Sequence, residues 1–123
     1  RGGTESHREF ADGYLLTSQL MRWFFDHYMR SEDDTANTLA SPLLTQSLAG
    51  LPPALVLTAG FDPLQDEGKA YAARLAAEGV DTLHQHYPGM IHGFFNMSGV
   101  LDEAKRAIDE AAAALSAALG TTV

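Results

Sequence analysis

Cysteine is absent from the 123 residues. That removes disulfides, thiolate metal sites and a cysteine nucleophile, and it leaves the compartment undecided. Basic residues are scarce: 8 lysines and arginines stand against 16 aspartates and glutamates, for a formal net charge of -8. They form no cluster, so neither a nucleic-acid backbone nor an anionic membrane surface is an expected partner. Long apolar runs are missing too; the nearest, EAAAALSAAL, follows charged residues and is too short to span a bilayer. No internal repeat or low-complexity tract stands out. The opening RGGTESHREF has no methionine and no evident targeting segment, and a cytoplasmic location is favoured.

What is present fits one small α/β domain with a core. Residues 1–13 are polar, with glycine near both ends, and read as a loop. In YLLTSQLMRWFFDHYMR, Leu16, Leu20, Phe24, Phe25, Tyr28 and Met29 recur at helical spacing. Thr17 suits the N-cap, with Leu16 and Met21 placed as a hydrophobic staple. The aromatics Trp23, Phe24 and Phe25 are expected to pack as core. SEDDTANTLASPLL then has the composition of a loop.

After Pro52-Pro53, residues 54–59 form a short non-alternating apolar run, as expected of a strand buried on both faces of a parallel sheet. PLQDEGKAYAARLAAEGV reads as a helix with Leu64, Tyr71, Leu75 and Ala76 on one stripe and Gly79 as its stop. Residues 82–87 alternate and read as a second strand nearer a sheet edge. The last helix, 101–119, carries an apolar stripe of Leu101, Ala104, Ile108, Ala111, Leu115 and Leu119, and Asp102 can pair with Arg106. The order helix, strand, helix, strand, helix implies two adjacent parallel strands joined by a crossover. Two strands make a poor sheet alone. The chain therefore pairs with another copy, as a possible homo-oligomer, or is a piece of a larger sheet; the piece is the favoured reading.

Two residues just past the strands invite a chemical reading. Asp62 follows the first strand, with Pro63 biasing it away from helical geometry, and His92 follows the second in YPGMIHGFF. Open α/β sheets gather their sites at these carboxyl ends. A carboxylate accepting from one imidazole nitrogen fixes the ring's tautomer and leaves the other nitrogen as a base. Plainer roles compete. Asp62 also suits a helix N-cap, with Pro63 at N1 and Gln65 closing a capping box. Asp66 and Glu67 suit first-turn complements to the helix dipole. His92 alone could be a solvated loop histidine. His84 and His86 share a strand face and could chelate a metal, but no third ligand accompanies them and a solvated edge is the simpler reading. His7 and His27 have no partner pattern. NMS at Asn96 matches a glycosylation sequon and nothing more.

Together GYLLTSQLMRWFFDHY, LPPALVLTAGFDPLQDEGKAYAARLAAEGV and YPGMIHGFF resemble the C-terminal part of an α/β-hydrolase, closest to the hormone-sensitive-lipase-like bacterial carboxylesterases. The resemblance spans nearly the whole chain. It implies that residues 1–50 are a cap-adjacent loop and helix. Residues 51–123 would be the last two parallel strands, their crossover helix and the final helix of an incomplete sheet. Asp62 matches the triad acid and His92 the triad base, in the order expected of that fold. Phe24, Ile91 and Phe94 become candidates to line the substrate pocket. Gln65 stands where arginine is common in the family, a change expected to affect surface pairing. No cofactor or metal is implied.

The family's G-x-S-x-G nucleophile elbow and HGG-type oxyanion loop precede the region resembled, and no G-x-S-x-G occurs in these residues. Ser98, in NMSG, lacks the leading glycine and a preceding strand. The resemblance thus implies a carboxylic ester hydrolase acting on small, short-acyl esters through an acyl-enzyme. This chain supplies the acid and base, and by itself it is expected to be inactive. A missing N-terminal portion or another copy would complete the sheet. The alternative is a non-catalytic assembly module that folds by strand pairing.

Overall fold

Two strands lie side by side in the computed structural model, which describes residues 3–120. β1 (Ala54–Phe61) and β2 (Thr82–Ile91) pair in parallel, with Ala54 opposite Thr82 and Ala59 opposite Tyr87. Two short helices in sequence, α1 (Glu5–Glu9) and α2 (Ser18–Tyr28), precede them. α3 (Gln65–Ala77) links the strands and α4 (Asp102–Leu119) follows. The α/β order and the parallel pairing agree with the sequence pattern, and both strands run further than the apolar residues indicated. Their extra residues bring the ladder up to Asp62 and His92.

Side-chain alternation along β1 divides the core. Leu57 and Ala59 turn to one face and pack with Tyr87, Phe94, Ala104 and Ala107. Ala54 and Val56 turn to the other and pack with Leu48, Leu75, Val80 and Tyr71. Ala104 and Ala107 are fully buried, small side chains that let α4 approach β1 closely. Leu75 is the largest fully buried side chain of α3, and burying it stabilises the fold by about 2–3 kcal/mol. α3 ends as expected: Gly79 takes a left-handed φ of 84°, which its missing Cβ makes inexpensive.

Several expectations are corrected. Residues 1–13 are not all loop, because Glu5–Glu9 is helical and capped by Thr4. One turn has no periodicity to read, and its stability comes from tertiary contact. The Ser6 hydroxyl donates to Pro63 O at 2.8 Å, and Ser6 N–H donates to Asp66 Oδ2 at 2.9 Å. The loop at 31–44 contains two 3-10 turns, Glu32–Ala36 and Pro42–Leu44. Trp23 and Phe24 are not core residues; they are 52% and 50% exposed. Phe25 is exposed as well. As expected, Thr17 caps the helix by accepting from Leu20 N–H at 3.2 Å. β1 is well buried only in its second half. In α4, Leu115 and Leu119 are exposed because the helix outruns the two strands beneath it. Asp102 pairs with Lys105 at 2.8 Å, and Arg106 with Glu103 at 2.6 Å, each three residues apart rather than four.

Candidate active site

The ladder loses its step just before the site. Ala59 faces Tyr87 and Phe61 faces Ile91, so two steps along β1 match four along β2. Gly60 lies in this interval, against the Pro88 backbone; a Cβ there would stand 2.0 Å from Pro88 O. Such a mismatch bends a strand and re-aims the residues after it. Beyond it Asp62 leaves β1 and His92 leaves β2. Gly93, with φ 77°, turns the chain immediately after the imidazole and into the turn Phe94–Asn96.

The two side chains meet. His92 Nδ1 lies 2.9 Å from Asp62 Oδ2. The carboxylate's second oxygen, Oδ1, accepts from Leu64 N–H at 2.8 Å, and Asp62 O accepts from Gln65 N–H at 3.0 Å. Asp62 thus holds the local turn and the imidazole together, but it is not the helix N-cap: that position falls to Leu64, with no side-chain cap. The capping box does not form. Gln65 Nε2 reaches past Asp62 to donate to Ala59 O at 3.1 Å and Gly60 O at 2.6 Å, while its Oε1 accepts from Lys69 Nζ at 2.8 Å. Gln65 is therefore no mere surface-pairing residue. The hydrogen bond to Asp62 raises His92 above its ordinary value, with burial opposing. Its side chain is 40% exposed and that of Asp62 11%, so the acid is sheltered while the base remains reachable.

His92 also borders an apolar cavity of about 260 Å³, shared with Leu16, Met21, Phe24, Phe25, Tyr28 and Leu64. Phe24 lies on its wall. Phe94 instead stacks obliquely on Tyr87 within the core, with ring centroids 4.9 Å apart. Ile91 is half-buried at the end of the ladder, opposite Phe61. Leu16 and Met21, paired in the sequence reading as a hydrophobic staple, line the cavity together. A larger groove of about 490 Å³ over Thr17, Gln19, Leu20 and Trp23 carries no titratable group. Gly60 also shapes the site, and its signal in the sequence is that an isolated glycine in a strand run marks close backbone approach.

His84 and His86 flank a single hydroxyl: Thr58 Oγ1 lies 2.9 Å from His84 Nε2 and 3.0 Å from His86 Nδ1. Burial, with Lys69 and His84 adding to it, lowers the His86 titration. Among the described residues no group of three or more His, Cys, Asp or Glu side chains could hold a metal. His7 is buried, its Nδ1 2.6 Å from the Thr4 hydroxyl, and His27 Nδ1 contacts Trp23 O at 2.8 Å. No described helix is long and apolar enough to cross a membrane.

Residues 1–96 match the profile of a family described by the alpha/beta hydrolase fold. The carboxylic ester hydrolase LipN of Mycobacterium tuberculosis is 45% identical over 95 residues, covering 76% of this chain and 25% of that protein. An arylesterase of Saccharolobus solfataricus is 41% identical over 92 residues, covering 74% of this chain and 30% of that one. Among solved structures, an ester-hydrolase from the metagenome of Lake Arreo superposes with a TM-score of 0.91 at 47% identity, over 98% of this chain and 38% of its own. A hyperthermophilic esterase of Pyrobaculum calidifontis gives 0.88 at 40% identity, over 93% and 38%. The chain therefore spans well under half the length of these relatives.

Proposed function

The chain belongs to the alpha/beta hydrolase fold family, and on that premise we propose that it is the acid-and-base portion of a carboxylic ester hydrolase. The 2.9 Å contact between Asp62 and His92 at the carboxyl ends of paired parallel strands carries the reading. A serine outside these residues attacks the ester carbonyl, and His92 takes its proton through Nε2 and returns it to the leaving alcohol. Asp62 accepts from Nδ1–H, holds the tautomer and stabilises the imidazolium. The apolar cavity beside His92 suits the hydrocarbon part of a small, short-acyl ester.

The chain alone should leave p-nitrophenyl acetate and butyrate unhydrolysed above the buffer rate. Joined behind the segment that precedes the matched region in one of its esterase relatives, it should turn them over, and His92→Ala should abolish that turnover. A joined protein that folds but hydrolyses neither ester, or one indifferent to His92→Ala, would overturn the proposal. The two-stranded sheet also favours completion by further strands, from a preceding segment or a second copy. Sedimentation of the chain alone tests the second copy: a monomer at micromolar concentration excludes it.

A further inference from the structure

We infer that Gln65 is a positioning residue for the Asp62–His92 pair, clamping the end of β1 where the ladder loses its step and so fixing the direction in which Asp62 leaves the strand. The inference rests on the proposed reading of Asp62 and His92 as acid and base.

The argument starts from backbone groups. At the step, the β2 residue pressed against Gly60 is Pro88, which has no N–H to give to a strand. Carbonyls of a partly buried strand need hydrogen-bond donors. The Gln65 amide supplies two, one hydrogen to Ala59 O and one to Gly60 O. The orientation of that amide is set by chemistry on both sides. Carbonyl oxygens accept only from its NH₂, and the Lys69 ammonium donates only to its oxygen, 2.8 Å away. A flipped amide would oppose oxygen to oxygen at one end and nitrogen to nitrogen at the other.

The consequence is a closed loop. Upstream of Asp62, the carbonyls of the second and third residues before it are tied to the Gln65 side chain. Downstream, Gln65 N–H binds Asp62 O and Leu64 N–H binds Asp62 Oδ1. One residue therefore grips both ends of the turn whose middle carries the carboxylate. Only Oδ2 remains directed outward, and it is the oxygen that meets His92. An ordinary first-turn helix residue would reach back to the N-cap N–H. Gln65 reaches past it, into the strand.

The test reads the pair without ester turnover. In the 123-residue chain, the five histidine Cε1–H resonances are followed by NMR against pH, with His92→Gln identifying the relevant one. The hydrogen bond to Asp62 should hold the parent midpoint above 6.5. Gln65→Met keeps length and neutrality but gives no hydrogen bond, and it should move the His92 midpoint down toward 6.5. Gln65→Ala protects against a variant that fails to fold: alanine is the best helix former, adds no charge, and gives the carbonyls no donor. It too should lower the His92 midpoint. A folded Gln65→Met or Gln65→Ala chain whose His92 midpoint stays at the parent value, or rises, overturns the role of Gln65. Such a result would leave the esterase reading standing. A parent midpoint already at 6.5 would instead sink the acid–base pairing itself.

Discussion

Replacing Gly60 by alanine meets the tightest obstacle at any described glycine. The added Cβ would lie 2.0 Å from Pro88 O, 2.6 Å from its carbonyl carbon and 2.8 Å from its Cα. Ordinary contact begins near 3.4 Å, so β2 would have to retreat by the difference, 1.4 Å. Strands pair only about 4.8 Å apart, and the obstacle is backbone, which cannot rotate aside as a side chain does. Overpacking of this kind costs about 1–3 kcal/mol, and loss of the Gln65–Gly60 hydrogen bond adds about 1 kcal/mol. The expected destabilisation is therefore about 3 kcal/mol. With a urea slope of about 1–3 kcal/mol/M, the denaturation midpoint should fall by about 1–3 M. Gly89→Ala is the control, since it lies one residue beyond Pro88 with nothing within 4 Å of its Cβ; it should stay within about 0.5 kcal/mol of the parent. A Gly60→Ala chain as stable as the parent would refute the close approach, as would an equal loss from Gly89→Ala.

Because the folded midpoint of His92 is raised above 6.5, its contribution to stability is complete below 6.5 and disappears as pH rises through that midpoint. Asp62→Asn removes the contribution, so the parent-minus-variant difference in urea midpoint should be larger at about pH 5.5 than at about pH 9; the subtraction cancels the opposite trend from His86, whose value is lowered. Burial first, and Glu110 at 2.5 Å second, push the Tyr87 hydroxyl up to about 12. The folded state thus keeps a proton the unfolded chain releases near 10, and stability should decline as pH climbs between the two. Tyr87→Phe should cost about 1–2 kcal/mol at neutral pH and flatten that alkaline decline, read by denaturation together with phenolate absorbance. Leu75→Ala should cost about 2–5 kcal/mol in the same urea assay, since it empties the centre of the α3-side core.

The elements with repeating patterns were legible in the residues: the buried run of β1, the stripe and glycine stop of α3, the long final helix. Asp62 and His92 were legible as well, because each follows a strand directly and the strands had to be neighbours. What escaped was decided by contacts far apart in sequence. α1 is a single turn held by Ser6 against residues about sixty positions away. The aromatics of α2 have the spacing of a core face, yet Trp23 and Phe24 stay half exposed and Phe24 and Phe25 wall a cavity. Gln65 looked like a surface substitution because its partners, the Ala59 and Gly60 carbonyls, are backbone atoms that no residue pattern announces. Phe94 and Phe24 are both aromatic and both near His92 in the fold, yet one stacks on Tyr87 and the other walls the cavity.

The hydroxyl of Thr58 has one hydrogen and two imidazoles beside it. That hydrogen can serve one ring only, so the other must donate from the nitrogen that faces the hydroxyl; the oxygen's two lone pairs also let both rings donate at once. Of the four ways to place one proton on each neutral ring, a single one is excluded: His84 protonated on Nδ1 together with His86 on Nε2, which would leave two acceptors and one hydrogen between them. A single threonine thus links the tautomers of two side chains of one strand, and nitrogen chemical shifts would show the excluded combination missing.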